Sequence, residues 1–390
     1  MRQHDSLRCT CRAARRDYQR VAVLCASSDQ SVPAVAIDQA IRGECFEQSS
    51  APTSWQPLID RQDRVAQIPL AFQRIEEFGA TRQIKCNQVC HAGDPNSGEN
   101  AVMNSWLIGA RPRTLPAAVV PVALGAAAAV GTDHSVWWRV AGALVVSLAL
   151  QVGVNYANDY SDGVRGTDAV RVGPTRLVAS GLAAASSVKR AALAAFAVAA
   201  VVGLVLAAVT SWWIVAVGAA ALLAGWGYTG GPKPYGYFGL GELFVFVFFG
   251  LVATTGTTFV VSQHITSIAW LAGGAAGCLA CALLVVNNLR DIPTDRVAGK
   301  RTLAVRVGDR RTRALYVVLL VAAFSLVAAI AVSDRPWAAL GLAGALLAIG
   351  PMRAIMSGAQ GGDLIAVLGG TGKVQLATGM LAALGIALGG

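Results

Sequence analysis

Gln151-Val-Gly-Val-Asn155-Tyr-Ala-Asn158-Asp159-Tyr-Ser-Asp162 closes an otherwise apolar run that begins near Val136. Such a run is long enough to cross a bilayer, which takes about 20 residues. It ends in carboxylates, and that is costly. A helix C-terminus presents partial negative charge, which opposes each acid by a few tenths to about 1 kcal/mol. Asp159 and Asp162 lie three apart and share a helix face, so they also repel one another. An aspartate deep in a membrane helix costs about 2.5–3.5 kcal/mol on insertion scales. Something cationic is expected to offset this.

The pattern occurs twice. Asn287-Asn288-Leu-Arg290-Asp291-Ile-Pro-Thr-Asp295 follows a second apolar run, residues 267–289. Asp291 and Asp295 are four apart, and Pro293 is predicted to distort or end regular helix there. Carboxylates flanked by Asn amides favour a hard cation, and Mg²⁺ typically takes one or two carboxylates together with substrate phosphates. Two facing clusters, each holding Mg²⁺, would grip a diphosphate. The plainer reading makes these acids solvated caps paired with nearby arginines. Two Asn-led motifs four helices apart, each followed by a basic loop, weigh against it.

Outward from these motifs the chain reads as lipid-embedded. Of 390 residues, 55% are hydrophobic and 14% are charged, with mean hydropathy +0.53; a soluble chain carries about 25% charged residues. The expected fold class is all-α: a polytopic membrane protein built as a nine-transmembrane-helix bundle. Its spans are predicted at 115–132, 136–157, 187–209, 212–229, 240–260, 267–289, 313–333, 336–355 and 372–389. With Met103 placed in the cytoplasm, 18 of the 20 Lys/Arg after residue 102 fall on the cytoplasmic side. Only Arg139 and Arg335 fall opposite. This satisfies the positive-inside rule and predicts the cytoplasmic membrane, with the active-site loops facing the cytoplasm. The net charge of +10 then faces anionic headgroups, so nucleic acid is not needed as a partner.

Residues 1–102 are a different kind of sequence. Their 12 Lys/Arg balance 12 Asp/Glu, and they hold six of the eight cysteines. They show no span, no secretory core and no convincing zinc spacing, although Cys86 and Cys90 are four apart. The expectation is a disordered extension or, preferred, a start codon placed upstream of the natural initiator Met103. Residues 103–390 form the transmembrane domain.

Diphosphate also calls for cations. Arg165, Arg171 and Arg176 follow the first motif; Arg290, Arg296, Lys300, Arg301 and Arg306 accompany the second. Arg suits bidentate phosphate contact, and Lys acts as a point charge. Arg176, Arg290, Lys300 and Arg301 are the candidates, set against a role in orientation alone. Tyr228-Thr-Gly-Gly-Pro-Lys233-Pro-Tyr235-Gly-Tyr237 forms a tight Gly/Pro loop that offers Lys233 and Tyr228. Arg111-Pro-Arg113-Thr-Leu-Pro116 opens the first span after a short apolar segment. An interfacial helix breaking at the prolines is expected, with Arg113 reaching substrate or anchoring. Cys278 and Cys281 read as core packing, and Asp363 as a residue of a glycine-rich loop.

These segments resemble the intramembrane aromatic prenyltransferases of the UbiA-type superfamily. Their wording is similar to the 1,4-dihydroxy-2-naphthoate polyprenyltransferase branch of menaquinone synthesis, over residues 105–390. The resemblance implies Mg²⁺ on Asp159, Asp162, Asp291 and Asp295, assisted by Asn155 and Asn158, binding a polyprenyl diphosphate. Lys233, Arg176 and Lys300 would add charge, and Arg113, Tyr228, Asn287, Asn288, Arg290 and Arg301 complete the implied substrate-binding set. The acceptor would be 1,4-dihydroxy-2-naphthoate, prenylated with loss of CO₂. Asp168 departs from the family spacing, so no metal role is carried over to it. The alternatives are another acceptor within the superfamily, a transporter and a membrane scaffold. A transporter predicts acids near the bilayer midplane, whereas these lie at span ends.

Overall fold

The computed structural model describes residues 105–167 and 176–390. The expectations for residues 1–102, Asp168 and Arg171 lie outside them. All regular structure among the described residues is helical. The principal helices are α1 (Pro116–Ala128), α2 (Trp138–Val164), α3 (Ala185–Val209), α4 (Trp213–Gly227), α5 (Gly241–Ser262), α6 (Ser267–Val297), α7 (Asp309–Ser333), α8 (Pro336–Met356) and α9 (Asp363–Leu388). Seven are long and apolar enough to cross a membrane; α1 and α4 are shorter apolar helices. Valines and leucines on the outer faces of α3, α7 and α8 stay exposed, as expected where lipid replaces water. Six tryptophans, Trp137, Trp138, Trp212, Trp213, Trp270 and Trp337, are exposed at the starts of α2, α4, α6 and α8. Such a girdle is typical of a membrane interface.

Hydrogen bonds sort the helix ends into two groups. At one end, Asn155 Nδ2 donates to the Ala110 carbonyl at 2.8 Å and Lys300 Nζ to Asp162 Oδ1 at 2.9 Å. At the other, Arg139 donates to the carbonyls of Val260 and Val209, and Arg335 to those of Val130 and Ile386. Thus the two basic residues expected on that side secure the C-terminal ends of α3, α5, α1 and α9. That placement satisfies orphan carbonyls and complements helix dipoles.

Local sequence explains where the helices depart from expectation. Residues 105–110 are helical, Arg111 breaks the helix at φ 55°, and a 3-10 turn at Pro112–Thr114 leads into α1. This is the break expected at the prolines. Pro293, expected to distort or end α6, lies inside a helix that continues to Val297. The second motif is therefore helical throughout, and Asp291 and Asp295 share one face. The ninth helix begins at Asp363 rather than near residue 372. A Cβ on Gly370 would meet Pro351 Cγ at 2.8 Å. Gly370, which reads as part of a loop, instead lets α8 and α9 approach. Asp363 accordingly lies in the first turn of α9, where the helix dipole favours an acid. Lys373, expected at the cytoplasmic start of the ninth span, sits about 15 Å into α9 by helical rise. In the middle of α5, Phe246–Val252 is π-helical.

Candidate active site

The site is the polar end of a cavity of about 1210 Å³ that runs between α2, α4, α5 and α6. Asp162 from α2 and Asp291 and Asp295 from α6 line it, with Asn155, Asn158, Asn287 and Asn288. Arg113, Arg176, Arg290, Lys300 and Tyr228 also line it. The structure therefore brings most of the expected residues together. The rest of the wall is largely apolar, including Leu150, Leu222, Phe249 and Val252.

Helical phase separates the first two acids. Asp162 faces the cavity, whereas Asp159 does not line it. Asp159 is 1% exposed, and its two oxygens accept the backbone N–H groups of Leu177 and Val178 at 2.9 and 3.1 Å. Residues three apart on a helix differ by about 60° in direction, enough here to turn Asp159 onto the segment after the first motif. Asp159, expected among the metal ligands, is a backbone clamp in this structure.

Asp162 is buried and doubly held. Its Oδ1 accepts from Lys300 Nζ and from the Tyr237 hydroxyl, each at 2.9 Å. Tyr237 lies between two cations, Arg165 at 5.3 Å and Lys300 at 5.0 Å from its ring. Burial alone would favour neutral Lys300, but Asp162, with Tyr237 and Asp295, outweighs it and raises the ammonium above the ordinary lysine value. Raised in the fold, this group stabilises fully below the ordinary value. That contribution is lost only as pH rises through the higher folded value. Neutral pH therefore leaves the pair intact.

Arg290 and Asp291 form a buried bidentate pair, with Nε–Oδ1 at 2.7 Å and Nη2–Oδ2 at 2.9 Å. Arg290 Nη2 also donates to Asn287 Oδ1 at 2.8 Å. Asp295 accepts from the Thr302 hydroxyl at 3.5 Å. Asn158 Oδ1 accepts from Thr229 Oγ1 at 2.6 Å. Lys233 and Arg301 are exposed and do not line the cavity.

Several participants were not singled out from sequence. Thr229, Tyr237 and Arg165 arrive from loops whose packing no periodicity reports. Tyr235, Phe244 and Phe248 form an aromatic ladder on the cavity wall, stacked at 4.0 and 6.0 Å between centroids. Glu242 carried one available signal, an acid inside the expected fifth span.

A family model described as the UbiA prenyltransferase family matches residues 118–363. The chain belongs to the UbiA prenyltransferase family. A relative from Mycobacterium tuberculosis, called 1,4-dihydroxy-2-naphthoate octaprenyltransferase, is 50% identical over 284 residues, 73% of this chain and 97% of that protein. One of the same name from Escherichia coli is 33% identical over 300 residues, 73% of this chain and 95% of that protein. The apo structure of a UbiA homolog from Aeropyrum pernix K1 superposes with a TM-score of 0.50 at 16% identity, covering 71% of this chain and 96% of that one. That likeness concerns the fold. As a UbiA prenyltransferase with seven span-length helices, the protein is a multi-pass membrane enzyme.

The family implies Mg²⁺, and the site fits it. The donors are hard oxygens, and the buried carboxylates Asp162 and Asp291 are each neutralised by a cationic side chain. Among the described residues no three acids form a ready-made cage. Mg²⁺ does not need one, because substrate phosphates complete its shell.

Proposed function

We propose that the protein transfers a polyprenyl group from its diphosphate to 1,4-dihydroxy-2-naphthoate, with loss of CO₂, giving demethylmenaquinone. The observation that carries this reading is one cavity joining Asp162, Asp291 and Asp295 at its polar end to long apolar walls. The names of the Mycobacterium tuberculosis and Escherichia coli relatives support the acceptor.

Asp162, Asp291 and Asp295, with Asn158, would hold Mg²⁺, which supplies Lewis-acid neutralisation of the departing pyrophosphate. Lys300 and Arg290 exchange their carboxylate partners for phosphate oxygens as the diphosphate arrives. Arg176 adds a third charge from the cavity wall. The stacked faces of Tyr235, Phe244 and Phe248 flank the polar end. Aromatic faces attract cations, so they suit an allylic carbon gaining positive charge. The apolar walls take the prenyl chain and exclude water, which would otherwise capture that carbon. Lys233 and Arg301 act at longer range, drawing the anionic substrate to the mouth.

In the expected assay, purified protein converts 1,4-dihydroxy-2-naphthoate and a polyprenyl diphosphate only when Mg²⁺ is present, and EDTA abolishes turnover reversibly. Turnover undiminished in EDTA would refute the metal role. A panel of hydroxybenzoate and homogentisate acceptors tests the choice of acceptor. The chain begun at Met103 is proposed to be as active as the full chain in this assay.

The nine-span topology is also a proposal, and parity supports it. The Lys300–Asp162 bond puts the ends of α2 and α6 on one side. An even number of crossings must therefore separate them, which requires α4 to cross with α3, α5 and α6. Contacts of Asn155 with residues 110 and 114 likewise require α1 to cross with α2. The basic residues concentrated at the active-site end place it in the cytoplasm. Single cysteines at positions 180 and 357 are expected to resist an impermeant thiol reagent added to intact cells, and one at 264 to react. The opposite pattern would invert the topology.

A further inference from the structure

Glu242 has no place in the mechanism above, yet it is a buried acid in a membrane helix. Burying a carboxylate without full pairing is costly. Glu242 is 9% exposed and lies in the first turn of α5, at the active-site end, where the helix dipole favours its charge. Oε1 accepts from Asn288 Nδ2 at 2.9 Å, while Oε2 is buried with no hydrogen-bond partner. Its backbone is fixed as well. The Cys281 thiol donates to the Glu242 carbonyl at 3.1 Å, and α5 meets α6 closely where a Cβ on Gly250 would sit 2.5 Å from Gly277 Cα.

This geometry decides the orientation of Asn288, which lines the cavity. An amide offers two N–H donors and one carbonyl acceptor. The carboxylate selects the nitrogen, because the flipped amide would set oxygen against oxygen. The Asn288 carbonyl oxygen is thereby turned from Glu242 and left as an acceptor. Tyr228, also on the cavity wall, packs beside this pair: a Cβ on Gly241 would come 3.5 Å from its hydroxyl.

We propose that Glu242 is a positioning residue for the aromatic acceptor: it locks the Asn288 amide so that its oxygen receives a phenolic hydroxyl of the bound ring. The inference rests on the prenyl-transfer reading and names how that site selects a hydroxylated acceptor over a bare aromatic ring.

The test is a KM and kcat comparison in purified full-length protein, with 1,4-dihydroxy-2-naphthoate and a polyprenyl diphosphate varied separately. Glu242→Leu is expected to raise the acceptor KM about 2- to 10-fold, the range for losing a neutral hydrogen bond. The KM for the prenyl diphosphate should stay within about twofold, because the phosphate-binding residues keep their own partners. Glu242→Gln keeps an acceptor oxygen and is expected to restore the acceptor KM. Asn288→Asp alone sets two carboxylates together and should behave like Glu242→Leu. Combined with Glu242→Gln it reinstates the bond with donor and acceptor exchanged, and recovery in that double variant keeps the test decisive if Glu242→Leu misfolds. An unchanged acceptor KM in folded Glu242→Leu, equal rises in both KM values, or no recovery in the double variant overturns the proposal. Wild-type protein that prenylates no acceptor overturns the functional reading, and this inference with it.

Discussion

Asp162→Asn is expected to lower kcat by about 100- to 1000-fold, the scale for losing one preorganised electrostatic contact to a transition state. Stability should fall as well, because the buried Lys300 ammonium loses the charge that pairs it. The asparagine carbonyl can still accept from Lys300 and Tyr237, the two partners of Asp162 Oδ1. What disappears is the negative charge that a divalent cation requires. Asp291→Asn should behave alike. Lys233→Ala is the contrast: an exposed residue outside the cavity lining should cost less than about tenfold in kcat/KM, and the loss should shrink as salt screens it. Steady-state turnover at saturating Mg²⁺ separates the cases. An Asp162→Asn enzyme within threefold of wild type would remove Asp162 from the chemistry.

Asp159→Ala is expected to act on the fold first. It strips two backbone N–H groups, those of Leu177 and Val178, of the carboxylate oxygens they donate to, and Leu177 is fully buried. Leaving a buried donor unsatisfied costs about 1–3 kcal/mol, so the two together cost about 2–6 kcal/mol. That is a large share of the roughly 5–15 kcal/mol that holds a typical domain together. A lower Tm in detergent and faster proteolysis at Arg176 are the readouts. Asp159→Asn retains one acceptor oxygen and should fall about midway. An Asp159→Ala protein with wild-type Tm and lost activity would instead return Asp159 to the metal site.

The sequence carried the architecture because each signal spanned many residues. Apolar runs, the 18-to-2 division of basic residues and two Asn-led acidic motifs all depend on patterns rather than on single contacts. Asp162 and Asp159 mark where that legibility stops. Spacing shows that they lie near one face, but the packing of residues 176–180 decides which one sees the cavity. Gly370 shows a second limit, since it reads as loop unless the neighbouring helix at Pro351 is known. Lys233 shows a third: position within a motif says nothing of whether a side chain points inward. Tyr237 reaches Asp162 and Thr229 reaches Asn158 from a different loop, and only the fold joins them. Glu242 stood in an expected span from the start, but its partner Asn288 lies 46 residues away.

The arginine fastenings at the far end have a mechanical consequence. Arg139 ties α2 to the ends of α3 and α5, and Arg335 ties the start of α8 to the ends of α1 and α9. These bonds end on backbone carbonyls, which no substrate competes for. At the active-site end, one link joining α2 to the segment after α6 is Lys300 to Asp162, the bond that the proposed diphosphate would displace. The far end is therefore fastened through backbone carbonyls, and the active-site end through a carboxylate that a substrate phosphate can replace. Exchange of Lys300 from Asp162 to a phosphate, as proposed above, would leave those far-end fastenings in place, so substrate exchange and membrane anchorage fall to opposite ends of the same helices.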